Sequence, residues 1–152
     1  MAEALEAMLD AAAARCADRG AQLTELRRQV LRLILEADQP VGAYALLDRL
    51  RAERPGAAPP TIYRALDFLL EQGLIHRVER LNAFIGCVEG SAAGRDHEHS
   101  HQFLICRRCG ATVEVSDPGV TTALAAAAAR AGFALDRATV EAEGLCARCR
   151  SG

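Results

Sequence analysis

The chain has 152 residues, of which 51% are hydrophobic, a formal net charge of −2 and six cysteines. That apolar content suffices for one ordinary domain or two small ones and excludes an intrinsically disordered chain. It is not a generally cationic nucleic-acid binder either: residues 1–85 carry 11 Arg against 12 acidic residues, and residues 86–152 carry 7 against 8.

No run of about 18 apolar residues marks a membrane span, and MAEALEAMLDAAAARC lacks the basic start and cleavage site of a signal peptide, so a cytoplasmic location is expected. The Ala-rich residues 2–19 predict a helix ending at Gly20, with the lone Cys16 as a small buried residue. Thr24 is placed as the N-cap of a second helix, with Glu25 in its first turn and Leu26, Val30, Leu33 and Ile34 at helical spacing. Residues 42–53 predict a third helix. RPGAAPP then leads into a fourth, TIYRALDFLLEQG, whose apolar stripe is Ile62, Ala65, Leu66 and Leu69 and whose opposite side carries Arg64, Asp67 and Glu71. LIHRVE and NAFIGC read as a β-hairpin with a two-residue turn at Leu81 and Asn82. Helices followed by such a hairpin describe a winged helix-turn-helix.

The Gly, Ala and Ser content of residues 87–96 predicts a hinge. Beyond it, HQFLIC and ATVEV form a second hairpin, PGVTTALAAAAARAG a helix and FALDRATVEAEG a last strand. The fold class is therefore α+β: a winged helix-turn-helix domain over 1–86 and a small α/β domain over 97–152, which at that size is expected to dimerise or be stapled.

The staple is supplied by Cys106-Arg-Arg-Cys109 and Cys146-Ala-Arg-Cys149, two Cys-x-x-Cys knuckles separated by 36 residues. In a reducing compartment such pairs bind metal more often than they form disulfides, and four thiolates complete a closed, tetrahedral structural zinc site. In the first hairpin, a two-residue turn sets His76 opposite Cys87, with Cβ atoms roughly 4.5–5.5 Å apart on one face. His97, His99 and His101 share one side of an extended segment, and Glu114 lies on the strand paired with it. His76, Cys87, one of the three histidines and Glu114 would make a mixed nitrogen, sulfur and oxygen site for a borderline-soft ion. Tyr63 and Arg64 occupy the recognition-helix position, where Arg can donate to guanine O6 and N7 together. Thr61 and Tyr44 are further DNA candidates, and Arg27, Arg28 and Arg32 weaker ones for phosphate.

"AYALLDRLR", "PPTIYRALDFLLEQGLIHRVE", "HQFLICRRCGATVEV" and "VEAEGLCARC" together resemble the ferric uptake regulator family, and within it the zinc uptake regulator branch. The resemblance implies a homodimeric, metal-dependent transcriptional repressor with a C-terminal dimerisation domain. It places structural zinc on Cys106, Cys109, Cys146 and Cys149, and regulatory zinc on His76, Cys87, His99 and Glu114, which settles the choice among the histidines. Two zinc ions per chain are thus expected, and a third involving His97 and His101 stays open. The expected partner is double-stranded operator DNA of near-palindromic sequence, bound by one dimer or two, with Asp48 and Arg51 as a meeting place for a second dimer.

Three rival readings remain: a sensor of iron or manganese in the same family, a zinc hydrolase, and a zinc-stapled adaptor that binds no DNA. A soft Cys87 ligand favours zinc over iron and manganese, and an enzyme would need an open coordination position and a non-ligand acid or base. No catalytic residue is assigned.

Overall fold

Alanine, leucine and methionine dominate the first helix, α1 (Ala2–Asp18), which buries Leu9, Ala12 and Cys16 and stops ahead of Gly20 at φ 75°. The structure, a computed structural model, describes residues 2–87 and 101–151, and it divides into two compact units, Met1–Gly94 and Arg95–Gly152. Residues 88–96 of the expected hinge lie outside the described residues, as do His97 and His99.

In the first unit, α2 (Glu25–Glu36) starts at Thr24, whose side chain accepts from the Arg27 backbone N–H at 3.4 Å. It buries Val30, Leu31 and Ile34, while Leu26 and Leu33 are only partly buried. Leu31 was not on the expected stripe. Because α2 packs against α1, α3, α4 and the wing, its buried arc is wider than a one-sided amphipathic helix would need. α3 (Ala43–Leu50) is shorter than expected, and α4 (Pro59–Glu71) opens on its two prolines. The connection over residues 51–58 is closed by Arg51 Nε donating to Ala57 O at 2.9 Å and by Arg54 bonding Gln29. Ile62, Ala65, Leu66 and Leu69 are all buried, as their spacing predicts.

The wing corrects an expectation. Its strands β1 (Ile75–Val78) and β2 (Ala83–Gly86) are joined by a four-residue connection, a 3-10 turn at Glu79–Leu81 followed by Asn82 at φ 48°. His76 therefore pairs with Ile85, not Cys87. A loop longer by two residues slides the register by two positions, which keeps Cys87 on the face of His76 as its diagonal neighbour. Cys87 continues the ladder past β2, its N–H donating to Leu74 O at 3.0 Å, and Val41 pairs with Phe84 at the other edge.

The second unit is a sheet of order β4-β3-β5, in which β3 (His101–Cys106) pairs antiparallel with β4 (Thr112–Val115) and parallel with β5 (Thr139–Gly144). The last strand begins at Thr139, six residues later than expected. In the chain, α5 (Pro118–Arg130) links β4 to β5 and is capped by the Asp117 side chain, which accepts from Gly119 N at 2.8 Å. Gln102 pins this cap to β3, with Nε2 donating to Asp117 O at 3.1 Å and Oε1 accepting from Asp117 N at 3.2 Å. α5 buries no residue, and a short α6 (Ala147–Arg150) unforeseen in the sequence follows β5. Among the described residues no helix is long and apolar enough to cross a membrane.

Candidate metal centres and nucleic-acid face

Parallel pairing explains how two knuckles so far apart in sequence meet. Cys106 ends β3 in register with Gly144, the last residue of β5, so both strands deliver their following Cys-x-x-Cys turns at one end of the sheet. An antiparallel β5 would have carried Cys146 to the opposite end. Arg107 N extends the ladder by donating to Gly144 O at 2.9 Å, and Arg108 Nη1 reaches Cys149 O at 3.3 Å. Gly110 closes the first knuckle at φ 79°, its N–H donating to Cys106 O at 2.9 Å.

The four sulfurs of Cys106, Cys109, Cys146 and Cys149 all lie within 4.8 Å of one another, and those of Cys109 and Cys146 are 3.8 Å apart. A disulfide needs about 2.05 Å. Four ligands at the usual zinc–sulfur distance of about 2.3 Å stand about 3.8 Å apart along a tetrahedral edge, so the cluster has the dimensions of a tetrahedral metal site. Backbone N–H groups of Cys109, Cys146 and Arg108 directed at Cys106 hold its thiol down at about 5. The Cys149 N–H, which donates to Cys146 Sγ at 3.4 Å, lowers Cys146. Cys149 is pushed up to about 12 by the Cys146 sulfur beside it and by burial. Sulfurs this close cannot all ionise unless a cation replaces their shared protons. The sulfurs were legible in the sequence, but their N–H donors were not named there. The two-residue spacing is their signal, because it folds the chain over its own first cysteine.

In the winged unit, His76 and Cys87 offer ligand atoms within 4.8 Å of each other despite the shifted register. Both are half-buried. In the second unit Glu114 sits on β4 opposite Phe103, half-buried, and His101 opens β3.

Tyr44 on α3 is 69% exposed and Tyr63 on α4 42% exposed, and Arg64 beside it is exposed as well. Thr61 is half-buried, and its hydroxyl accepts from Ala58 N at 3.4 Å, which gives it a capping role at the start of α4. The structure gives the three weaker arginines partners within the winged unit. Arg28 pairs with Glu6 at 3.0 Å and Asp10 at 2.8 Å, Arg32 also bonds Glu6, and Arg27 stacks 3.8 Å from the Phe68 ring centroid while donating to Gln22 O. They fasten α1 and α4 to α2. Acidic residues at i, i+4 on α1 facing arginines at i, i+4 on α2 were the available sequence signal.

The pattern of the ferric uptake regulator family matches residues 18–143. The zinc uptake regulation protein of Escherichia coli K12 is 46% identical over 134 residues, spanning 88% of this chain and 76% of that protein. The Mycobacterium tuberculosis H37Rv protein of the same name is 34% identical over 132 residues, 87% of this chain and 97% of its own. A solved structure of a zinc uptake regulator complexed with zinc and DNA superimposes with a TM-score of 0.86 at 44% identity, covering 97% of this chain and 95% of that one. With a winged helix-turn-helix, an α/β unit closed by a four-cysteine cluster and matches of this extent, the chain belongs to the ferric uptake regulator family.

Proposed function

We propose that the chain is a zinc-responsive, DNA-binding transcriptional repressor that acts in the cytoplasm, as a homodimer, on near-palindromic operators of zinc uptake and homeostasis genes. The observation that carries this reading is the coexistence of two donor sets of different character: a closed all-sulfur cluster, and a His76–Cys87 pair at the base of the wing. The first suits a permanent structural ion and the second an exchangeable one. The relatives named for zinc uptake regulation, and the neighbour bound to zinc and DNA, support it.

Cys106, Cys109, Cys146 and Cys149 would hold structural zinc, which supplies a divalent cation in place of shared protons. His76 and Cys87 would hold the regulatory ion, with His99 and Glu114 completing the set. The Cys87 sulfur favours zinc over iron or manganese. With the donors used in this way the protein is a regulator and not an enzyme. The exposed arc of α4 presents Tyr63 and Arg64 to the major groove, with Tyr44 alongside. A role for Thr61 at the DNA rests on its hydroxyl proton, since its oxygen already caps α4. His97 and His101 are offered for a third ion, and two dimers for one operator.

The second unit leaves Leu104, Val113, Phe133 and Leu135 exposed and its long helix without a buried residue, which is the surface a second copy would cover. The test is operator binding in a zinc-buffered titration read by fluorescence anisotropy. Binding should tighten by about 5- to 150-fold between the form with structural zinc alone and the fully loaded form. Equal affinity in the two forms would sink the reading.

A further inference from the structure

Gly86, the residue before Cys87, is a glycine for a reason its backbone does not supply. Its φ is not among the positive ones, so any L-residue could adopt its conformation. What a side chain would meet is Leu35 of α2: a Cβ built at position 86 would overlap the Cδ2 methyl at the end of that side chain, so either Leu35 or the strand must shift. Leu35 and Cys87 also line one apolar pocket, together with Leu31, Leu74 and Met8. On its other side Cys87 is tethered by its N–H bond to Leu74 O at 3.0 Å. The cysteine that ends the wing is thus tethered by a backbone rung, shares a pocket with Leu35 and directly follows the position that Leu35 crowds.

We propose that Gly86 and Leu35 act together as positioning residues for the Cys87 thiolate, so that α2 sets where this ligand stands relative to His76. The proposal rests on reading Cys87 as a ligand of the second zinc. A methyl group at 86 leaves two ways out. Leu35 can swing into the pocket that Cys87 lines, or the end of β2 can move away from α2. Either one disturbs the thiolate, because Cys87 follows Gly86 directly and shares that pocket. Neither Gly86 nor Leu35 belongs to the four-cysteine cluster.

The full-length chain with its structural zinc in place is titrated with cobalt(II), whose thiolate charge-transfer absorption reports Cys87 ligation at the second site, and zinc competition then gives the affinity. Gly86→Ala is expected to weaken second-site binding by about 10- to 100-fold, the usual scale for residues that orient a ligand. Leu35→Ala makes room for the methyl, so Gly86→Ala in that background should cost less than about threefold. Leu35→Phe, which crowds the same contact from the α2 side with Gly86 kept, should weaken binding in the same direction and serves if Gly86→Ala folds poorly. Wild-type affinity in Gly86→Ala or Leu35→Phe, or a loss that persists in the Leu35→Ala background, overturns the proposal. Cys87→Ser separates the two levels. If it leaves the second-site absorption intact, the ligand assignment is wrong and the positioning role falls with it; if it removes the absorption while Gly86→Ala has no effect, only the positioning role fails.

Discussion

Arg64 and Arg28 are both helical arginines of the winged unit, yet they stand in different surroundings. Arg28 is spent on Glu6 and Asp10, and those two acids neutralise it locally. Arg64 stands on the exposed arc of α4, four residues short of the Phe68 that Arg27 covers. Arg64→Ala is therefore expected to weaken operator binding by about 1–3 kcal/mol and to relax base preference at one operator position, checked by anisotropy against single-base operator variants. Arg28→Ala should leave base preference unchanged and show itself as a lower denaturant midpoint. Cys16 makes the complementary case of a residue that is all packing. Its side chain is fully buried among α1 and its neighbours, and burial pushes its thiol up, so it stays neutral. Cys16→Ser keeps the size but inserts a hydroxyl that needs a partner in that place. A loss of about 1–3 kcal/mol in urea unfolding is expected, with zinc stoichiometry unchanged.

At the scale of elements, the sheet β4-β3-β5 is short and the helix that accompanies it has no fully buried residue of its own, so beyond the β3–β5 ladder the four-cysteine end is where the proposed structural ion would tie β5 to β3. Structural zinc in small domains contributes about 10–16 kcal/mol of apparent binding energy, as much as the whole stability of an ordinary domain. Cys149→Ser is accordingly expected to melt β3, β4 and β5 while α1 to α4 persist, seen as amide signals of residues 101–144 collapsing in an NMR spectrum whose α1–α4 signals keep their dispersion. The four core helices were legible in the sequence because their apolar periodicity, caps and prolines are local signals. Thr24 and Pro59 mark starts, and Ile62, Ala65, Leu66 and Leu69 mark a face. The wing register was not legible: whether 81–82 or 79–82 makes the turn depends on Asn82 taking φ 48° after a 3-10 turn, which alternation of side chains does not encode. Face survived the error because the slip was even, and so His76 and Cys87 stayed together. The parallel direction of β5 and its late start at Thr139 were hidden for a like reason, since non-local pairing sets both. The Gly86–Leu35 contact was hidden too, because a glycine shows its purpose only when its neighbour in space is known.

For the whole molecule, charge and shape ask for different explanations of DNA binding. The chain carries −2; four thiolates around one divalent ion lower that by two, and a second ion held with one further thiolate raises it by one, so the loaded protein remains anionic. On the proposed function, bulk attraction to phosphate does not account for a response to zinc, which falls instead to two recognition helices presented at the spacing of two half-sites. The proposed function would then make the joint between copies part of the DNA-reading machinery. Leu104 and Val113 are register partners across β3 and β4, they share one face of the sheet, and they are 52% and 58% exposed. A cross-strand pair of this kind stands free on a single copy only at a cost in exposed apolar surface, which a second copy would remove. The paired change Leu104→Glu and Val113→Glu sets like charges directly opposite each other on that face and doubles them at a symmetric contact. Sedimentation velocity is expected to report a monomer, with the cobalt spectrum of the four-cysteine site retained as evidence of folding. Operator affinity should fall towards that for a single half-site, while binding to an isolated half-site changes little. A variant that stayed dimeric at micromolar concentration, or that stayed monomeric and still read the full operator with wild-type affinity, would show that the face joins nothing that DNA recognition depends on.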